Sequence, residues 1–202
     1  MLDDVRNCFE NKLTIYGATP EGVYWNSVNA QEVRFAQLFK IIDHSDRFSL
    51  LDYGCGYGAL TWYLDCKRCD YSYTGFDISV AMISEGRKLA GDKGDRQFIS
   101  EEHLLEPADY VVESGIFNLK LDACNDAWTD YVLRTLDRMN ELSLKGMAFN
   151  MLTTYSDSER MRADLYYGDP CFFFDYCKRN YSCNVALLHD YEIYDFTILV
   201  RK

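Results

Sequence analysis

Proline and histidine are scarce in this 202-residue chain, at three residues each. Pro20, Pro107 and Pro170 stand far apart. With no proline-rich linker, repeat or low-complexity stretch to divide it, the sequence reads as a single domain over residues 1–202. No run of about 18 apolar residues occurs, so no membrane-spanning helix and no membrane partner are expected. The opening MLDDVRNCFENK lacks a basic segment followed by an apolar one, which argues against a secretory signal and for a cytoplasmic protein. Positive charge is also short: 21 basic against 32 acidic residues leave a net charge of −11. Such a chain repels phosphate backbones, which excludes nucleic acid as a partner class. Eight cysteines include one C-x-x-C, Cys66 and Cys69, with no second pair at metal-site spacing, so structural thiols and no metal are expected.

What is present is core-forming material, 48% hydrophobic and 15% aromatic. Residues 1–46 read as a helical N-terminal cover: an acidic opening segment, a turn at GATPEG (17–22), then a helix over 29–42. There Phe35, Leu38, Phe39 and Ile42 fall on one face. Residues 47–202 read as the core. Short apolar strands (48–53, 71–78, 96–100, 109–115, 147–152) alternate with helical segments at 58–65, 80–90 and 126–144, the last stopped by Gly146. The alternation predicts an α/β fold with right-handed crossovers and a mostly parallel sheet. Near the end, strands at 184–189 and 194–201 are too close together for a crossover helix, so they form an antiparallel β-hairpin.

The chemistry starts at LLDYGCGYGAL (50–60). Glycines at 54, 56 and 58 let the backbone turn out of a strand and approach a ligand closely. Asp77 ends the next strand, where a carboxylate accepts hydrogen bonds from a ribose. Gly54, Gly56 and Ala59 also satisfy G-x-G-x-x-G/A, so the loop alone admits a dinucleotide. Asp52 before the loop, the terminal hairpin, and a length that leaves no room for a second substrate domain favour a different nucleoside cofactor, one carrying an ammonium group.

LLDYGCGYGAL, YTGFDIS and ADYVVESGIFN resemble the first, second and fourth-strand motifs of the class I S-adenosylmethionine-dependent methyltransferases. The resemblance covers residues 48–202. It implies a seven-stranded Rossmann-like methyltransferase sheet with the seventh strand antiparallel between the fifth and sixth, and S-adenosyl-L-methionine as cofactor. Asp52, Gly54, Gly56 and Gly58 would hold its methionine part, Asp77 its ribose, and Ile78 would flank its adenine. Ser114 on the fourth-strand motif joins the cofactor set. For the adenine amine, Ser100, Glu101 and Glu102 remain open.

Ligands of parallel α/β sheets bind beyond the carboxyl ends of the strands. That rule points to 114–118, 150–155 and the hairpin tip, with the N-terminal cover as a lid. His189 is the candidate general base, and Asn118 a second catalytic candidate. Asn150, Tyr155, Arg160, Arg162 and Trp25 are the acceptor-binding candidates, the two arginines as a clamp for a carboxylate or phosphate. The expected activity is methyl transfer to a small-molecule acceptor, with oxygen favoured because a base candidate exists. The protein would be a monomer or homodimer. Alternatives are a non-catalytic cofactor-binding regulator, a protein methyltransferase, and a small NAD-dependent oxidoreductase.

Overall fold

The computed structural model describes residues 1–25, 27–91 and 93–202. Strands β1 (Phe48–Tyr53), β2 (Tyr71–Phe76), β3 (Arg96–Ile99), β4 (Ala108–Ser114), β5 (Ser143–Leu152), β6 (Asn184–Leu188) and β7 (Asp195–Arg201) form one sheet in the order β3-β2-β1-β4-β5-β7-β6. The first five run parallel, and β7 lies antiparallel between β5 and β6. This is the expected fold class and hairpin.

Among the described residues, six α-helices cover the sheet: α1 (Leu2–Tyr16), α2 (Val28–Phe39), α3 (Ala59–Cys66), α4 (Val80–Ala90), α5 (Asn125–Leu142) and α6 (Pro170–Asn180). Strand alternation sorts their contacts. Leu51 and Tyr53 of β1 join Val5, Trp128, Val132, Leu136, Phe173 and Cys177 in the core under α1, α5 and α6. Phe48 and Leu50 point the other way, to Phe35 and Leu38 of α2, Leu60 and Leu64 of α3, and Ile83 of α4. Asp52, next in that alternation, is therefore delivered to the α2–α4 side.

Three expectations change. The helix ends at Leu142 and runs directly into β5, so Gly146 is not its stop. Gly146 sits inside the strand because a side chain there would meet the Val200 carbonyl oxygen at 2.6 Å. Strand β2 ends at Phe76, two residues early, because Asp77 and Ile78 turn away toward the ligand side. Helix α6 was not anticipated, although Asp169 and Pro170 announce it: the Asp169 carboxylate accepts from Cys171 N at 2.8 Å, and Pro170 occupies the first turn.

Among the described residues, no helix is long and apolar enough to cross a membrane. No group of three or more His, Cys, Asp or Glu side chains among them is placed to hold a metal ion.

Candidate active site

A cavity of about 1020 Å³ opens at the carboxyl ends of β1, β2 and β4 beneath the N-terminal cover. Its floor is the loop after β1. Gly54 N and Cys55 N both donate to Phe76 O, at 2.7 and 2.8 Å, tying the loop to β2. Gly54 has φ +85°, and a side chain there would strike Ile116 at 2.1 Å. Only glycine fits both demands. Gly58, by contrast, lies off the cavity wall. It begins α3 in a left-handed conformation, and a Cβ would meet the Phe98 ring at 2.8 Å, so its reason is packing and not ligand contact.

Two carboxylates meet at this floor. Asp77 accepts from Gly56 N at 2.9 Å and from Ser79 N at 2.8 Å, bridging the glycine loop to the start of α4. Burial pushes its carboxyl up to about 6 against those two stabilising N–H groups. Asp52 is buried and receives the Tyr73 hydroxyl at 2.7 Å, yet burial, assisted by the charge of Asp77, raises it to about 7. Water-poor surroundings disfavour the ionised form, and a cationic ligand group would restore it.

The turn after β4 joins floor to lid. Glu113 is fully buried, and its Oε1 accepts from Ile116 N at 2.7 Å while its Oε2 has no partner among the described residues. Burial holds this carboxyl well above the usual range. This carboxyl fixes the 114–116 turn. Ile116 braces Gly54 from one side. At Gly115, φ +98°, a side chain would meet the Trp25 indole at 2.6 Å.

From Trp25 the wall continues through an ion pair. The Arg34 guanidinium stacks on the indole at 4.1 Å and grips Asp195 with Nε and Nη2, both at 2.7 Å. Its Nη1 donates to Ala30 O. Arg34 is 7% exposed and Asp195 0%, so α2 is locked to the first residue of β7 out of water's reach. Tyr191 and Tyr194 extend the wall along the hairpin loop, and Tyr24 lines it from the cover. Helix α1 covers the other end with Leu2, Val5, Arg6 and Phe9, held down by Ser79 Oγ donating to Glu10 at 2.8 Å.

Of the residues expected from sequence, Asp52, Gly54, Gly56, Asp77, Ile78, Ser114, Asn118, Trp25, Arg160 and Arg162 line the cavity. Asn118 is already engaged: its Oδ1 accepts from Leu152 N and its carbonyl from Tyr166 N. Asn150 does not line the cavity. It is fully buried behind Ser114, to whose Oγ its amide donates at 3.2 Å. Tyr155 and His189 are both exposed and lie off the cavity wall, their rings 5.7 Å apart. The hairpin turns the six residues after Leu188 so that 191–195, and not His189, face inward. For the adenine side, Glu102 lines the cavity while Ser100 and Glu101 do not, and Tyr53 donates to Glu102 at 2.7 Å.

Sequence reasoning missed Arg34, Asp195 and Glu113, whereas Tyr191 falls within the hairpin tip it pointed to. Arg34 carried a signal, since Gln31 and Arg34 sit on the same helical stripe as Phe35 and Leu38 and are buried with them. A polar pair on an apolar stripe needs buried partners.

Residues 51–117 match a family model described as a methyltransferase domain. A Mycobacterium tuberculosis protein named "Putative methyltransferase Rv1506c" is 48% identical over 163 residues, which span 81% of this chain and 98% of that protein. The N-methyltransferase NodS from Bradyrhizobium japonicum, solved with S-adenosyl-l-homocysteine, superposes with a TM-score of 0.68 at 14% identity, covering 98% of this chain and 97% of NodS. A DhpI-SAM-HEP complex superposes at 0.67 with 13% identity, covering all of this chain and 97% of DhpI. The two structures agree with this one in fold.

Proposed function

The chain belongs to the class I S-adenosylmethionine-dependent methyltransferases, and from that membership we propose that it methylates a small molecule bound between the glycine loop and the N-terminal cover. The observation that supports this most is the cavity itself: one roofed space runs from Asp52 and Asp77 to the aromatic wall of Trp25, Tyr191 and Tyr194. A roofed space with an aromatic wall suits a small acceptor better than a protein surface.

The residues fit the cofactor. The half-buried Asp77 carboxyl, set by two backbone N–H groups, suits a ribose, and the bare backbone of Gly54 and Gly56 lines the cavity floor. Asp52, Gly54, Gly56 and Ser114 would hold the methionine part, with Ile78 and Glu102 toward the adenine. Bound there, the cofactor supplies a sulfonium-activated methyl group. The protein's own task is to align the acceptor behind that methyl and exclude water, a contribution of up to about 7–11 kcal/mol in well-oriented systems. The 114–116 turn, held by Glu113, sets the floor of that alignment, and Trp25 closes over Gly115.

The preference for an oxygen acceptor rested on His189 as base, and that support falls away with His189 off the cavity wall. No histidine lines the cavity among the described residues. We therefore propose transfer without a histidine base, and expect His189→Asn to leave turnover and its pH profile unchanged; a large loss of kcat would restore His189 to the mechanism.

A pH effect follows from Asp52. Its folded-state value, about 7, lies above the ordinary 3.8, so folding takes up a proton between those values. Its contribution to stability is complete below the lower value and is lost as pH rises through the higher one. Binding an ammonium group beside it demands the ionised form. The affinity for S-adenosylhomocysteine is accordingly expected to rise about tenfold between pH 6 and pH 8, and Asp52→Asn to flatten that rise. Calorimetry across the range checks it, and a flat wild-type profile would count against Asp52 facing the ammonium.

Incubating the protein with methyl-labelled cofactor and whole cell extract tests the assignment: label in a small metabolite supports it, and label only in macromolecules removes it.

A further inference from the structure

Of the arginines on the acceptor side of the cavity, two already hold a carboxylate with a guanidinium fork. Arg34 places all three guanidinium nitrogens, on Asp195 and on Ala30 O. Arg162 turns its fork onto Asp164, with Nε at 3.0 Å from Oδ1. Arg160 differs. Its only ionic neighbour among the described residues is Asp157, 3.8 Å from Nε, beyond hydrogen-bond reach. The Asp157 carboxylate instead accepts the Tyr194 hydroxyl. Arg160's guanidinium lies over the Tyr194 ring at 5.7 Å, and none of its side-chain N–H groups has a protein acceptor among the described residues.

The position matters as much as the free donors. A chain of contacts leads from the glycine loop to this group: Gly54 against Ile116, Gly115 against Trp25, Trp25 against Arg34, Arg34 to Asp195, then Tyr194 under Arg160. Arg160 also lines the cavity. It therefore stands at the mouth of the space where the acceptor would enter, at the far end of one continuous wall.

Resting on the small-molecule reading above, we propose that the acceptor carries an anionic group, a carboxylate or a phosphoryl group, which Arg160 anchors at the cavity mouth against Tyr194. A guanidinium offers a planar fork that matches either anion with paired N–H donors, and stacking on a tyrosine ring fixes its plane in advance. The chain's net charge of −11 repels anions, so a cation with free N–H donors on the cavity rim concentrates binding at one place. Tyr24, Leu152 and Leu165 on the neighbouring wall would take the acceptor's uncharged part.

The test uses the full chain saturated with S-adenosylhomocysteine, titrated with inorganic phosphate and, separately, with acetate. Wild type is expected to bind at least one of them, and Arg160→Gln to weaken that binding about tenfold, the loss of a charge-assisted contact, while S-adenosylhomocysteine affinity stays the same. Phosphate without acetate identifies a phosphoryl group, and acetate without phosphate a carboxylate. Equal anion binding in wild type and Arg160→Gln, or none in wild type, overturns the proposal. In turnover with cell extract, the labelled product should be retained on an anion exchanger, and Arg160→Gln should raise acceptor KM more than it lowers kcat. A labelled small product that is neutral or cationic overturns the anionic acceptor and leaves the small-molecule methyltransferase intact. Absence of any labelled small product removes both.

Discussion

Asp77→Ala is expected to lower the affinity for S-adenosylhomocysteine by about 100- to 1000-fold, equivalent to roughly 3–4 kcal/mol. Three losses combine. The ribose would lose its acceptor, and two backbone N–H groups, of Gly56 and Ser79, lose the carboxylate that now receives them at 2.9 and 2.8 Å. The first of those N–H groups belongs to the glycine loop and the second to the turn into α4, so the loop's position would relax along with the missing contact. Asp77→Asn keeps one acceptor oxygen and is expected to fall in between. Calorimetric titration measures both, with thermal unfolding of the free proteins as a check that the fold survives. Affinity of Asp77→Ala within a few-fold of wild type would mean that this carboxylate does not face the ribose.

The second large effect concerns stability. Asp195→Ala leaves the Arg34 guanidinium buried beside Trp25 with two of its donors emptied. Breaking such a pair by removing one partner costs about 3–5 kcal/mol, because the remaining charge stays out of water. At about 2–4 °C per kcal/mol for a chain of this size, the Tm should drop by roughly 6–20 °C. Arg34→Met combined with Asp195→Leu is expected to recover most of that loss, since apolar packing replaces the pair without stranding a charge. If the single variant melts like wild type, the bridge between α2 and β7 is not holding the cover. If the double variant is stable yet slow, the pair serves the cavity wall as well as the fold.

The sheet and the cofactor floor were legible because both follow local rules. Alternation of apolar strands with helical segments gave the mostly parallel sheet, and the short gap between 189 and 194 gave the antiparallel hairpin. Asp52, Gly54, Gly56 and Asp77 lie within 26 residues of one another and are placed by two consecutive strands, so spacing alone assembles them. The acceptor wall was not legible for the opposite reason. Arg34 and Asp195 are separated by 161 positions and meet only because β7 inserts beside β5, and no local pattern records that distance. His189 misled because a strand's carboxyl end indicates the correct edge of the sheet but not the direction in which a hairpin loop turns. The backbone after Leu188 carries His189 outward and Tyr191 inward, a difference of two residues. Gly146 misled in a similar way: a glycine near a helix end reads as a stop, whereas here it makes room for the carbonyl oxygen of a neighbouring strand.

The central claim is that one cavity holds the methyl donor beside Asp52 and Asp77 and a small acceptor beneath Trp25. A structure of the protein with S-adenosylhomocysteine tests it most directly. The ribose hydroxyls should lie within hydrogen-bond distance of the Asp77 carboxylate, the amino-acid end over the glycine loop beside Asp52, and the sulfur should face the space walled by Trp25, Tyr191 and Tyr194. A ligand whose sulfur faces away from that wall, or one bound outside the cavity altogether, would contradict the account.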